Sequence, residues 1–281
     1  METQYIRWQA DGESAVGRAA GATVPVDIRA GCVRLEGHLA VAPVEAGLVD
    51  LVPVARCLTD AAVAQVVERL AERSTPISCQ AGCCACCSYL IPVSPPEALA
   101  IWRDVLRMPA PYREDAVTDF LRALRTIGEH PPPDLDGLDE PEVLQGLSEW
   151  YGSLDMPCPL LTDQLCSLYA ARPLVCRECI MTLPAEVCGR PQVDVGDRVA
   201  MPVSVAEVLY ETAGLMLGRP PESVILATLP RWIDLASEAY EQTWPAEDLA
   251  HCFAATLHRH VDRSRRQLAD RTDERTTAAS A

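Results

Sequence analysis

The sequence predicts a mainly α-helical protein with a small N-terminal antiparallel β meander, an α+β fold built around a cysteine-rich metal-binding centre. Three observations predict it. From Thr59 onward, apolar residues recur mostly at helical spacing. Between Thr23 and Val54 they alternate with polar residues or Pro instead. Ten of the thirteen cysteines fall between Cys79 and Cys188, and small hydrophobes would fill a core equally well without the reactivity of thiols.

Residues 1–20 read as an N-terminal extension. They carry Glu2, Arg7, Asp11, Glu13 and Arg18 and no apolar core of a secretory signal. Residues 21–76 read as the meander plus one helix. Val24, Val26 and Ile28 alternate, Val33 and Leu35 follow Gly31, and Glu36-Gly37 reads as a turn before Leu39 and Val41. Val49, Leu51 and Val54 add a short apolar run, with Pro43 and Pro53 restricting pairing at the edges. Thr59-Asp60 is expected to cap a helix to Arg73, with Val63, Val66, Val67 and Leu70 on one face.

Residues 77–190 form the expected cysteine-cluster domain. After its first thiols, Ser94-Pro95-Pro96-Glu97 signals a helix start. Further helices are expected over Arg113–Ile127 and Glu142–Leu154. Residues 191–268 read as a C-terminal helical region, broken near Gly218-Arg219-Pro220-Pro221. Residues 269–281 read as a disordered tail.

The composition bounds function. The chain has 281 residues, 49% hydrophobic, enough for a real core. Its formal net charge is −16, from 24 Lys+Arg against 40 Asp+Glu. So acidic a surface repels phosphate backbones and anionic lipid surfaces, so neither nucleic acid nor a membrane is an expected partner. A protein or redox partner remains open. The most apolar stretch, His38 to Ala55, is interrupted by Pro43, Glu45, Asp50 and Pro53 and is not expected to span a membrane. A cytoplasmic location is expected. Thirteen cysteines in a reducing compartment point to metal or redox chemistry rather than disulfides.

The cysteines form two groups. Cys79, Cys83, Cys84, Cys86 and Cys87 lie in one nine-residue stretch. Cys79, Cys83, Cys86 and Cys87 would share a helix face, but Gly82 and the density of thiols favour turns, in which backbone N–H groups can point at sulfur. The second group is Cys158, Cys166, Cys176, Cys179 and Cys188. Pro157-Cys158-Pro159 is locally stiff. Cys166 follows a turn at Thr162-Asp163-Gln164. Pro173 begins a helix whose first turn holds Cys176, where the helix dipole favours a thiolate. Arg172 and Arg177 are the candidate cofactor-binding cations, because thiolates around an iron–sulfur core leave net negative charge. Soft thiolates select zinc, copper(I) or iron–sulfur clusters. The absence of His from the cluster favours an iron–sulfur cluster, with zinc close behind.

These residues carry a resemblance. Cys79-x3-Cys83-x2-Cys86-Cys87, then Pro157-Cys158-Pro159, then Cys166-x2-Tyr169-x2-Arg172-Pro173-x2-Cys176-Arg177, resembles the YkgJ family of cysteine cluster proteins, the CxxCxxCC zinc- or iron-chelating domain. The resemblance implies eight metal ligands: Cys79, Cys83, Cys86, Cys87, Cys158, Cys166, Cys176 and Cys188. The last follows Pro184-Ala185-Glu186, as in similar members. Cys84 and Cys179 stand where the family pattern has other residues. The implied function is that of a metal-binding protein, with an iron–sulfur centre in a redox or electron-transfer role. A zinc-stapled structural or binding protein is the first alternative. The second is a cluster-dependent methyltransferase, since flagellin lysine N-methylase contains a similar domain. Whether the protein is an enzyme stays open, and no catalytic residue is identified.

Cys79-x3-Cys83-x2-Cys86 also fits the spacing of radical S-adenosylmethionine enzymes. Their fold needs strand–helix repeats downstream, and this chain reads as helical there. Cys32, Cys57 and Cys252 stand alone and read as small buried hydrophobes. His251, His258 and His260 read as positions on one helix. No Ser/His/Asp arrangement, phosphate-binding Gly-rich loop or HExxH stretch occurs.

Overall fold

Alternation in the N-terminal stretch becomes a three-stranded antiparallel sheet of order β1-β3-β2, comprising β1 (Ile6–Ala10), β2 (Ala22–Ala30) and β3 (Val33–Val41). The computed structural model describes residues 4–12, 21–137, 139–188 and 198–278, and is about 53% helical, which makes the fold mainly α. In β2, Val24, Val26, Ile28 and Ala30 are buried while Thr23, Pro25, Asp27 and Arg29 face outward. Pro25, which cannot donate to a ladder, sits on an edge strand.

Two expectations are corrected here. Ile6–Ala10 lies in the stretch read as an extension, yet it pairs with β3, with Ile6 opposite Val41 and Ala10 opposite Gly37. Residues 13–20 lie outside the described residues. Glu36-Gly37 is not a turn but the middle of β3; the hairpin turns at Gly31-Cys32, where Gly31 takes φ 57°. Gly37 has a different reason to be glycine. A Cβ there would stand 2.2 Å from the Gln9 carbonyl oxygen, so β1 could not approach.

The chain folds into two compact units. The first takes the described parts of Met1–Ser74, Ala200–Glu222 and Glu241–Ala281. Its helix α1 spans Val52–Glu72, starting earlier than expected, because Pro53 sits in the first helical turn, where a missing N–H costs nothing. Thr59 is therefore no cap; its hydroxyl donates to the Ala55 carbonyl inside the helix at 2.8 Å. The same early start leaves Cys57 exposed rather than buried, while Ala55 and Leu58 face the core. Cys32 and Cys252 are half-buried. A short pair, β4 (Glu45–Gly47) with a C-terminal strand, Thr243–Pro245, precedes the last helix. The remaining helices of this unit are Val205–Leu217, capped by Ser204 and ended by Gly218 at φ 64°, and Ala246–Ala278, whose backbone continues through most of the expected tail.

His260 is buried among these helices. Its Nε2 accepts the Ser204 N–H at 3.2 Å, so the neutral ring carries its proton on Nδ1, 3.6 Å from the Glu207 carboxylate. Burial pushes the His260 pKa down, aided by Arg263, and the Glu207 and Glu211 charges only partly oppose it. The fold therefore favours the neutral ring. The associated stability is complete above the unfolded value of about 6.5 and is lost as pH falls below it. The urea midpoint should drop between pH 7.5 and 5, and His260→Gln should flatten that drop. An unchanged slope in the variant would remove His260 as its source.

The second unit is Thr75–Val199 with Ser223–Tyr240, described except for residues 138 and 189–197. Its long helices are α2 (Pro95–Leu106), which starts where Ser94-Pro95-Pro96 signals, and α3 (Tyr112–Glu129) and α4 (Glu140–Ser153), each within two residues of its predicted bounds. Asp139 caps α4 with Glu142 in a reciprocal pair. The core joins Ile101, Val105, Phe120, Leu160, Leu226 and Leu229, and Trp102 meets Phe120 edge to face at 5.6 Å. Among the described residues no helix is long and apolar enough to cross a membrane.

Candidate metal centre

Cys79 to Cys87 folds as consecutive turns, as the glycine suggested, and not as one helix face. Cys83 N–H donates to Gln80 at 3.0 Å, Cys87 N–H to Cys84 at 2.9 Å and Tyr89 N–H to Cys86 at 3.1 Å. Gly82 takes φ 90°, a conformation that side chains rarely adopt. The stretch is joined to the second group through the backbone: Cys158 N–H donates to the Cys87 carbonyl at 2.6 Å.

The second group is built from short, stiff pieces. Leu161–Thr162 and Leu165–Cys166 pair as a two-residue hairpin, whose Asp163 and Gln164 both take positive φ. This turn presents Cys166. The short helix α5 (Leu174–Glu178) carries Cys176 in its first turn, and the buried Glu97 carboxylate accepts the Leu174 N–H at 2.6 Å. Another short helix, α6 (Ala185–Cys188), ends on Cys188. The Cys188 thiol donates to the Leu183 carbonyl at 3.6 Å, and the Tyr89 hydroxyl donates to the Cys188 carbonyl.

Cys79 has a seat of its own. The Met181 N–H points at its sulfur at 3.2 Å, and its thiol lies 3.7 Å from the Cys179 carbonyl oxygen. Ser78 anchors the same crossing, with its N–H on the Met181 carbonyl at 3.4 Å and its hydroxyl on that of Leu183. The Met181 contact is the kind of backbone N–H on sulfur that the turn-rich stretch led one to expect.

The thiols act on one another. Cys86 hydrogen-bonds Cys179, which favours its thiolate, but its bond to Cys87, burial and neighbouring thiols outweigh this and push it up to about 12. Burial pushes Cys158 up to about 12, with Cys166 and Cys86 adding to it. Burial raises Cys176 strongly, reinforced by Cys158, Cys86, Glu97 and Cys166. Burial likewise raises Cys79, near Cys179, Cys83 and Cys188. These groups resist ionisation by themselves. A bound cation would reverse that preference, so metal loading must release protons and weaken as pH falls.

Of the eight expected ligands the structure shows only smaller neighbourhoods: Cys158 and Cys176 lie near Cys86 and Cys166, and Cys79 lies near Cys83 and Cys188. Cys179, outside the family pattern, neighbours Cys79 and Cys86. Cys84 gives its carbonyl to the Cys87 turn. None of the thirteen cysteines is joined in a disulfide. Among the described residues no group of three or more Cys, His, Asp or Glu side chains is placed to hold a metal ion. As a donor set the thiols suit a soft metal, being all sulfur.

The two candidate arginines part company. Arg172 stacks over the Tyr169 ring at 4.2 Å, and its charge favours the Cys166 thiolate. Arg177 is buried and donates to the carbonyls of Arg172, at 3.0 Å, and Ala170, bracing the turn ahead of α5. The cation facing Cys179 is Arg198, which sequence reasoning missed. An isolated bridge of Met181 with Arg198 brings it there, and no local motif announces it.

No curated protein and no solved structure matches the chain significantly. A family model does match, over residues 78–193, and its description is "CxxCxxCC: Putative zinc- or iron-chelating domain". The stretch that holds both thiol groups is therefore similar to this family's domain.

Proposed function

We propose that the protein carries an iron–sulfur centre on these cysteines and serves electron transfer or redox sensing in a reducing compartment, with a protein redox partner. The observation that carries this reading is the donor set: it is all sulfur, it lacks His, and it exceeds the four ligands of a simple structural zinc site.

When bound, such a cluster supplies a one-electron couple. The chain's own residues set its surroundings. Cys158, Cys166 and Cys176 stand against the apolar cluster around Phe120 and Leu160, which keeps water from that side. The Met181 N–H offsets charge on Cys79, and Arg172 and Arg198 offset charge on Cys166 and Cys179. Cys79 itself is exposed and offers the side at which electrons could be exchanged with a partner.

Anaerobically purified protein should be coloured, with visible absorption and iron and sulfide in fixed proportion. Colourless protein with stoichiometric zinc and no iron would establish the zinc staple instead.

A further inference from the structure

We infer that Ser78 and Tyr89 are positioning residues whose hydroxyls clasp the segment 180–188 along the cysteine stretch, and that this clasp gates access to Cys188. The clasp stands on hydrogen bonds within the protein; its use, to gate a metal, rests on the metal-binding reading above.

The segment 180–188 has little to hold it up by itself. Its only regular structure is the four-residue helix α6, and so short a helix is not stable alone. Inside it, the Pro184 carbonyl accepts the Val187 and Cys188 N–H groups at 2.9 and 3.2 Å. Pro184 and Glu186 are exposed and Leu183 and Val187 half-buried, so its middle has no deep apolar anchor. Its start is fixed by backbone. The Ile180 carbonyl accepts the Val199 N–H at 2.9 Å, the Met181 carbonyl accepts the Ser78 N–H, and the Met181 N–H reaches the Cys79 sulfur.

Past Met181, two side-chain hydroxyls supply the ties to the cysteine stretch. Ser78 donates to the Leu183 carbonyl, and Tyr89 to that of Cys188. The two donors bracket the stretch, since Ser78 directly precedes Cys79 and Tyr89 lies two residues past Cys87. Their acceptors follow in the same order, five residues apart. The segment is therefore laid alongside the whole stretch rather than touching it at one point. The Leu183 carbonyl also accepts the Cys188 thiol at 3.6 Å, so one oxygen links the Ser78 fastening to Cys188 itself. Cys188 is only 4% exposed. A metal or a reagent thus reaches its sulfur when the segment lifts, a local opening that breaks few apolar contacts.

The test labels the full-length, zinc(II)-loaded protein with N-ethylmaleimide and maps the adducts by peptide mass. Tyr89→Phe keeps the ring and removes the hydroxyl; Ser78→Ala does the same at the other fastening. Each should speed the labelling of Cys188 roughly 3- to 10-fold, the net worth of one neutral hydrogen bond. The double variant should show about the product, because a segment that lifts as one unit breaks both bonds. Zinc release to a chelator should quicken by similar factors. Ser78→Thr, which keeps a hydroxyl, should restore the wild-type rates. Hydrogen exchange in α2 should stay as in wild type throughout.

Unchanged labelling of Cys188, or unchanged zinc release, in the double variant overturns the inference. Faster exchange throughout α2 overturns it too, by showing that the whole unit has loosened. Wild type that holds no zinc overturns the metal-binding reading instead, and the labelling still decides the clasp. Should the variants fail to fold, hydrogen exchange of wild type decides. The Val187 and Cys188 N–H groups should exchange faster than those inside α2; equal rates refute a segment that lifts on its own.

Discussion

Replacing Cys176 with serine should lower bound metal and soluble yield together. Cys176 is fixed in the first turn of α5, packs against the apolar cluster and neighbours Cys86, Cys158 and Cys166. A serine keeps the size of the side chain but is a hard, weakly acidic donor that soft metals bind poorly. Even an outer-shell partner of a metal ligand costs roughly 10–100-fold in affinity, so loss of a direct ligand should cost at least that. Folding falls with it, because binding energy at such sites is folding energy. Cys83→Ser should behave alike. Cys252→Ser is the control: its half-buried thiol lies on the last helix, in the other unit. Metal analysis and soluble yield of the three variants decide the matter. Equal metal content in all three would refute the ligand assignment.

The second large effect is expected at Phe120→Ala. Phe120 is fully buried, meets Trp102 edge to face, and fills the cluster that also holds Cys158, Leu160, Leu226 and Leu229. Removing its ring should cost about 3–5 kcal/mol through lost transfer energy and a cavity. For a unit of this size that lowers the melting temperature on the order of 10 °C. Metal content should fall as well, because Cys87, Cys166 and Cys176 lean on the same cluster. Calorimetry with metal analysis measures both. A variant that melts as the wild type does would show that this core does not support the thiols.

Local rules made the helices legible. The apolar spacing of α2 and α3 and the Ser94-Pro95-Pro96 start placed them within a few residues. The turn before Cys166 was legible for the same reason: a two-residue loop between short strands is a local event. What was not legible depends on distant partners. Ile6–Ala10 is too short to announce a strand, and β3 supplies its pairing some thirty residues later. Gly37 looked like a turn because its true constraint is the Gln9 carbonyl on the neighbouring strand. Pro53 was read as a strand edge when it opens a helix, since both settings tolerate a missing N–H. At the thiols, composition and spacing pointed to metal, but the place of Cys179 and Arg198 needed the crossing of Cys79 with Met181.

The division of the chain into units has a consequence for synthesis. The cysteine unit needs residues 223–240, whose Val224, Leu226 and Leu229 complete its core. Once Cys188 has been made, about 50 more residues must follow, roughly 3–10 s at the usual pace of translation. Throughout that interval the thiols have no finished core behind them. Oxidants and unsuitable soft metals then compete for them, so expression should be most sensitive to aeration and metal supply while the chain is being made.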